Sequence, residues 1–236
     1  MRRFLASLRR DFLLQVRYKL VAVSLFVVGF WGALLAFLPD AVIPEPDVIV
    51  PAIVVVNLMT TTFYFVCGLV LFEKGEAVLP ALVTTPLRDR EYLLSKALSL
   101  SLLASAETLG LVVLIFGARA HWGLLLTGAL LLGVIYTLLG FVAVARYDSI
   151  NEFLFPSVVL VTGLLLPLLP HFGVMSRLLV LLHPVEPAFV LLRAAYTPIG
   201  AGELAYGLLG TMAWVALSYR WARHRFDLFI VRAAGT

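Results

Sequence analysis

Cysteine is almost missing from this chain of 236 residues: Cys67 stands alone, inside an apolar run. A single thiol closes no intramolecular disulfide, so a disulfide scaffold and a cysteine metal site are both excluded, and Cys67 reads as a small buried hydrophobe. Charge is scarce as well, at 14% of residues. The histidines, His121, His171, His183 and His224, are scattered and show no H-E-x-x-H or comparable ligand spacing. There is no G-x-x-x-x-G-K-[ST] run and no Gly-Lys pair, which leaves no phosphate loop for binding and hydrolysing ATP. The serines lie in apolar stretches without a His or Lys at usable spacing, so nucleophilic catalysis has no support. The chain is expected to hold no catalytic residue, no metal and no cofactor of its own.

Apolar residues are abundant instead, at 62%, with a mean hydropathy of +1.02, far outside the range of soluble domains. A membrane helix needs about 20 apolar residues to cross a core of about 30 Å. The expectation is one all-α polytopic membrane domain over residues 1–236, with spans at 20–38, 48–72, 97–117, 123–145, 154–170 and 204–221. Ahead of them, residues 2–19 place Phe4, Leu5, Leu8, Phe12 and Val16 on one helical face and Arg2, Arg3, Arg9, Arg10 and Arg17 on the opposite one. Such a helix lies in the membrane interface with its cations toward anionic lipid or an acidic partner, although the charges alone would also serve as a plain anchor for the first span.

Pro39 to Asp47 carries prolines and acids but no cation, which suits an external loop. Pro51 is expected in the first turn of the second span, where its missing N–H costs little. The stretch 174–192 is apolar enough to score as a further span, but its centre holds His183, Pro184, Glu186 and Pro187. An acid at mid-span costs about 2.5–3.5 kcal/mol, so the expectation is two short amphipathic pieces, 174–182 and 185–196, re-entering the outer leaflet. Six spans put 15 of the 18 cations on the side of the termini, whereas a seventh would export the basic tail. Both ends are therefore expected in the cytoplasm, at the cell membrane. The net charge of +4 is then a topology signal and implies no nucleic-acid partner.

Two polar features sit inside the spans. Glu107 is the one acid deep in a span, and it either handles a cation or proton along a substrate path or is a neutral acid that locks helices together, with Asn57 as the candidate partner. On the same helix Ser101, Ser105 and Thr108 form a stripe read as close helix packing.

The longest polar interval, Glu73 to Lys96, carries four cations and four anions and still keeps apolar residues at helical spacing. Pro86 sets a helix start and holds Thr85 extended, while Asp89 and Glu91 fall in the first turn and Lys96 near the end, as the helix dipole favours. Leu87, Leu94 and Tyr92 are candidates for contact with a partner, with Arg88 and Arg90 at the rim. Read from Thr85-Pro86-Leu87-Arg88, the pattern E-x-V-L-x-A-L-x-x-T-P-L-R-x-x-E-Y-L-L-x-K over Glu76 to Lys96 resembles the first cytoplasmic loop of ABC-2 type permeases, the membrane subunits of ABC exporters. Ala77 stands where that family often has Gly, and Pro80 where it often has a polar residue. The likeness extends to the N-terminal helix, the six spans and HPVEPAFVLLRAAY, which looks like the family's Pro-to-Arg segment.

The resemblance implies a cytoplasmic coupling helix between the second and third spans, docking a separate ABC ATPase through Glu76, Thr85, Pro86, Leu87, Arg88, Asp89, Arg90, Glu91, Tyr92 and Lys96. It also implies a second permease subunit, identical or paralogous, contacts with membrane lipids, ATP and magnesium held by the ATPase alone, and export of an amphiphile, drug or lipid-like. Within the family the chain looks most like the branch assigned to fluoroquinolone efflux. Two other classes share the topology: a membrane scaffold binding a cytoplasmic protein through the same loop, and an ion-coupled carrier using Glu107, for which inverted repeats are expected and none is visible.

Overall fold

The computed structural model describes residues 2–37, 45–76, 89–117 and 120–228, and every regular element among them is helical. Helix α1 (Arg2–Arg17) and helix α2 (Leu20–Ala36) meet at 61°, and the corner is made by Lys19, whose φ of 59° lies in the left-handed region. A non-glycine residue pays about 1–2 kcal/mol for that conformation, so the corner is held by what packs around it.

Helix α3 (Pro46–Leu58) runs through a π-helical turn, Met59–Tyr64, into α4 (Phe65–Gly75), giving one rod of 30 residues. Pro46 takes the first-turn position that suits proline, so Pro51 falls inside the helix and not in its first turn as expected. Within the widened turn the Thr60 and Thr62 hydroxyls donate to the carbonyls of Val56 and Leu58, a back-bonding pattern that bends and loosens helices.

Helix α5 (Asp89–Phe116) and helix α6 (Trp122–Val144) form the central pair, and α6 packs against most of the other elements. Small residues on α6 allow that closeness: a Cβ added at Gly133 would meet Ser101 at 3.0–3.2 Å, and one at Gly140 would meet the Phe63 carbonyl at 2.9 Å. Ser101 thus packs against a helix, as the sequence reading had it. Helix α7 (Ile150–Leu164), capped by Ser149, is short, and a single-turn α8 (Leu168–His171) follows. Helix α9 (Glu186–Ala194) and the long α10 (Ala201–Phe226) close the bundle against α6.

By length and composition, Pro46–Gly75, Arg90–Leu114 and Trp122–Val144 are able to cross a membrane, and the bent α1–α2 pair would make a fourth. Among the described residues that is fewer than the six expected. Helix α7 is apolar but has 15 residues, about 22 Å of helix, and α10 is long enough but more polar. Outward surfaces carry Leu25, Phe26, Phe155, Val159 and Leu209, while Asn57, Thr61, Thr108 and Thr137 are buried, the inside-out distribution of a chain solvated by lipid.

The interval after α7 departs from expectation. Its first piece contains only a 3-10 turn, Arg177–Val180, and its second, α9, is buried through Ala188, Phe189, Val190, Leu191 and Leu192 instead of lying amphipathically in a leaflet. Nine residues of helix span about 14 Å, too little to cross. The charges that argued against a span are paired: Arg177 reaches Glu186 and Glu203 at 2.6 Å each, and Arg193 stands 3.8 and 3.7 Å from the same two carboxylates.

Candidate functional site

The described part of the docking segment ends at Glu76 and resumes at Asp89. Thr85, Pro86, Leu87 and Arg88 lie outside the described residues, as do the side chains of Arg2, Arg3 and Asp89. From Asp89 onward there is no separate coupling helix over 89–96, because those residues are the first turns of the 28-residue α5. Movement of that end of the segment is movement of the span itself.

The residues of these turns divide by face. Arg90 is exposed and Leu94 is 44% exposed, whereas Tyr92 and Lys96 are each 2% exposed and point into the bundle. Lys96 Nζ stands 2.8 Å from Glu73 Oε1 on α4 and 3.5 Å from Asp11 Oδ1 on α1. The Tyr92 hydroxyl donates to Glu73 Oε2 at 2.6 Å, and Arg10 Nη2 approaches Glu73 Oε1 at 3.4 Å. Ser95 donates to Asp11 and shares a hydrogen bond of 2.8 Å with Ser7. Burial pushes the Asp11 carboxyl above its ordinary value, while Lys96 and Ser95 pull it back.

This cluster joins α1, α4 and α5, the elements on either side of the docking segment. Removal of any one partner would strand a buried charge, so the three helices are committed to one arrangement. The near end of the segment is fixed to the same corner: the Tyr18 hydroxyl donates to Glu76 Oε2 at 3.1 Å, and the Tyr18 ring stacks on Phe72 with centroids 5.4 Å apart. Lys74 then ties α4 to the α6–α7 turn, donating to the carbonyls of Ala145 and Tyr147 at 2.7 Å and to Asp148 at 3.2 Å. Glu91 is half-buried, and Arg9 and Arg17 project outward from α1.

Helix α1 holds to the bundle by a stripe that amphipathicity alone does not reveal. Ser7, Asp11 and Gln15, four residues apart, are buried, while Leu5, Leu13 and Val16 are 55–64% exposed. The apolar face is thus free for lipid and a polar edge packs on α5. The recurrence of small polar residues at i, i+4 and i+8 was the available signal.

Glu107 lies on the buried side of α5, and Thr61 Oγ1 donates to its Oε2 at 2.7 Å. Ser24 of α2 and Asn57 of α3 stand beside the carboxyl, yet Glu107 Oε1 and both polar atoms of Asn57 lack a hydrogen-bond partner. Among the described residues Glu107 has no ion-pair partner. An uncompensated carboxylate at such depth is costly, which favours the neutral acid joining three helices.

A family model described as the fluoroquinolones export permease protein family matches residues 2–234. The chain belongs to that family. Two relatives, each named a fluoroquinolones export permease protein, come from Mycobacterium tuberculosis strains CDC 1551 and H37Rv. Each is 28% identical over 240 residues, covering 100% of this chain and 99% of the relative. The match places the chain in the drug-export branch of the ABC-2 type permeases, as the loop over Glu76 to Lys96 had suggested. It is a membrane transport protein of an efflux family.

Proposed function

We propose that this chain is the membrane subunit of an ATP-binding cassette exporter and that a separate ATPase docks on residues 73–96 and on α1. One observation carries the reading: the buried Asp11–Glu73–Lys96 cluster binds α1, α4 and α5 together on both sides of that segment. A push delivered to residues 90–96 enters the third span directly, since Arg90 and Lys96 belong to the same helix as Glu107. ATP and magnesium stay with the partner, and this chain makes and breaks no bonds.

In this reading α7 and α10 complete a bundle of six spans with both ends in the cytoplasm of the cell. Two features support that orientation. The last turns of α10 are basic, with Arg223, His224 and Arg225, and two of the three cations assigned to the outer face, Arg177 and Arg193, are neutralised by Glu186 and Glu203. Two such subunits, identical or paralogous, flank the path of an amphiphile of the kind for which the relatives are named.

The test is a detergent pull-down of the full chain with ATPases from its own cell, comparing wild type with Leu87→Asp and Arg88→Glu. Co-purification of an ABC ATPase that either variant abolishes is the expected result. Absence of any ATPase, or retention by both variants, overturns the docking claim and moves the scaffold and carrier readings ahead.

A further inference from the structure

Between α6, α7 and α10 lies a cavity of about 520 Å³, within the size range of drug-sized ligand sites. Along α10 it extends from Trp214 to Arg225, roughly 16 Å of helix. Its walls are apolar and aromatic: Phe63 from the π-helical turn, and Trp214 and Trp221 from α10. Its outer wall, α7, buries only Phe153 and Ser157 among 15 residues, so the cavity is bounded by a loosely held helix facing lipid.

The two ends differ in charge. Arg146 and Arg225 line the end at the α6–α7 turn, and His183 lines the other. Arg146 donates to the Tyr147 hydroxyl and lies 4.8 Å from that ring, which leaves other donors of its five-donor fork for a carboxylate. His183 is neutral by its bonding: Nε2 donates to the Gly163 carbonyl at 3.1 Å, and Nδ1 accepts from the Val185 N–H at 3.2 Å. A ligand with one anionic end is therefore oriented, its charge toward Arg146 and its body along the α10 wall that carries Trp214 and Trp221.

Building on the export reading, we propose that this cavity is the residence site of the transported molecule, a planar aromatic body bearing a single carboxylate, admitted sideways from the bilayer past α7. An acyl chain would use the length but has no need of two indoles or of a hydrogen-bonding group at the far end. Indole side chains and a bidentate cation fit an aromatic acid.

Gly163 allows a filling variant that leaves the fold alone. It shares a face of α7 with Val159 and Leu160, both cavity-lining, and a Cβ added there meets nothing within 4 Å. The experiment measures binding of ciprofloxacin, and of its carboxyl methyl ester, to the full chain in phosphatidylcholine nanodiscs. Gly163→Leu is expected to weaken both probes by about tenfold or more with the thermal midpoint unchanged. Arg146→Gln is expected to weaken the acid about tenfold and the ester little.

Wild-type affinity in both variants overturns the site. Displacement of ciprofloxacin by added phosphatidylglycerol, itself sensitive to Arg146→Gln, overturns it in favour of a lipid slot. No ATPase enters the measurement, so a failed pull-down defeats the export reading alone, while variants that bind normally beside intact ATP-driven export defeat the site alone.

Discussion

Lys96→Met removes the only cation that, among the described residues, is buried with two carboxylates at the junction of α1, α4 and α5. Lys96 and Glu73 side chains are 2% exposed and Asp11 is 4% exposed, so solvent cannot take over the role of the ammonium. Breaking a buried ion pair by deleting one partner costs about 3–5 kcal/mol. The lower end applies, because Glu73 keeps the Tyr92 hydroxyl and the half-exposed Arg10, and Asp11, already pushed up by burial, can take a proton. A loss of about 3 kcal/mol is expected for the single variant. The triple variant Asp11→Asn, Glu73→Gln, Lys96→Met strands no charge and should recover most of the loss, to within about 1 kcal/mol of wild type. Unfolding in mixed micelles of increasing SDS fraction, followed by circular dichroism, gives both differences. A single variant within about 0.5 kcal/mol of wild type, the scale of an exposed pair, would refute the reasoning. So would a triple variant less stable than the single one.

Glu107→Gln keeps an acceptor for Thr61 and is expected to leave both stability and ATP-driven export nearly intact, whereas Glu107→Leu orphans a buried hydroxyl and costs about 1–3 kcal/mol; export abolished by the glutamine variant at normal expression would favour an ion-coupled carrier. Gly140→Ala forces a methyl to within 2.7 Å of Val66 Cγ1 and 2.9 Å of the Phe63 carbonyl and should destabilise by about 1–3 kcal/mol. Gly68→Ala meets nothing within 4 Å and should be neutral or stabilising by up to about 1 kcal/mol in the same assay. Burial holds the His171 and His183 pKa values below the ordinary histidine value. As pH falls below the unfolded value of about 6.5, the unfolded chain takes up protons that the folded one refuses, so the thermal midpoint should fall. His171→Gln with His183→Gln should flatten that fall. Glu186, whose carboxyl burial raises against the pull of Arg177 and Arg193, works in the opposite sense and is common to both proteins.

The positions of helices were readable because hydropathy and prolines mark them: α2, the α3–α4 rod, α6 and α10 begin and end within a few residues of the expected spans. What each helix turns inward was harder to see. In lipid the usual association of apolar with inside fails, so Tyr92 and Lys96 read as outward docking groups although Glu73, 20 or so residues back in sequence, draws both of them in. The inward stripe of α1 was hidden for the same reason, since it consists of Ser7, Asp11 and Gln15 while the apolar face looks out. The π turn at Met59–Tyr64 left only the run of threonines as a hint, and the Gly140 backbone that packs close to its Phe63 carbonyl comes from a helix far away in sequence. Glu186 argued against a span, but its partner Arg177 comes from a separate segment and also holds Glu203 of α10, and pairing across these segments buries α9 where a leaflet-dipping helix was expected. Asn57 was named as the candidate partner of Glu107 because both lie at mid-span, where few other polar groups are available, and it stands beside the carboxyl with both of its own polar atoms unpaired.

The central claim is that a separate motor drives this chain through residues 73–96. Its most direct test is fluoroquinolone uptake into inverted membrane vesicles containing the chain and its co-purifying ATPase, with and without ATP, for wild type and Leu87→Asp. ATP-dependent uptake that the variant loses while its thermal midpoint stays at the wild-type value is the result expected. Uptake that ignores ATP, or that the variant retains in full, would contradict the account.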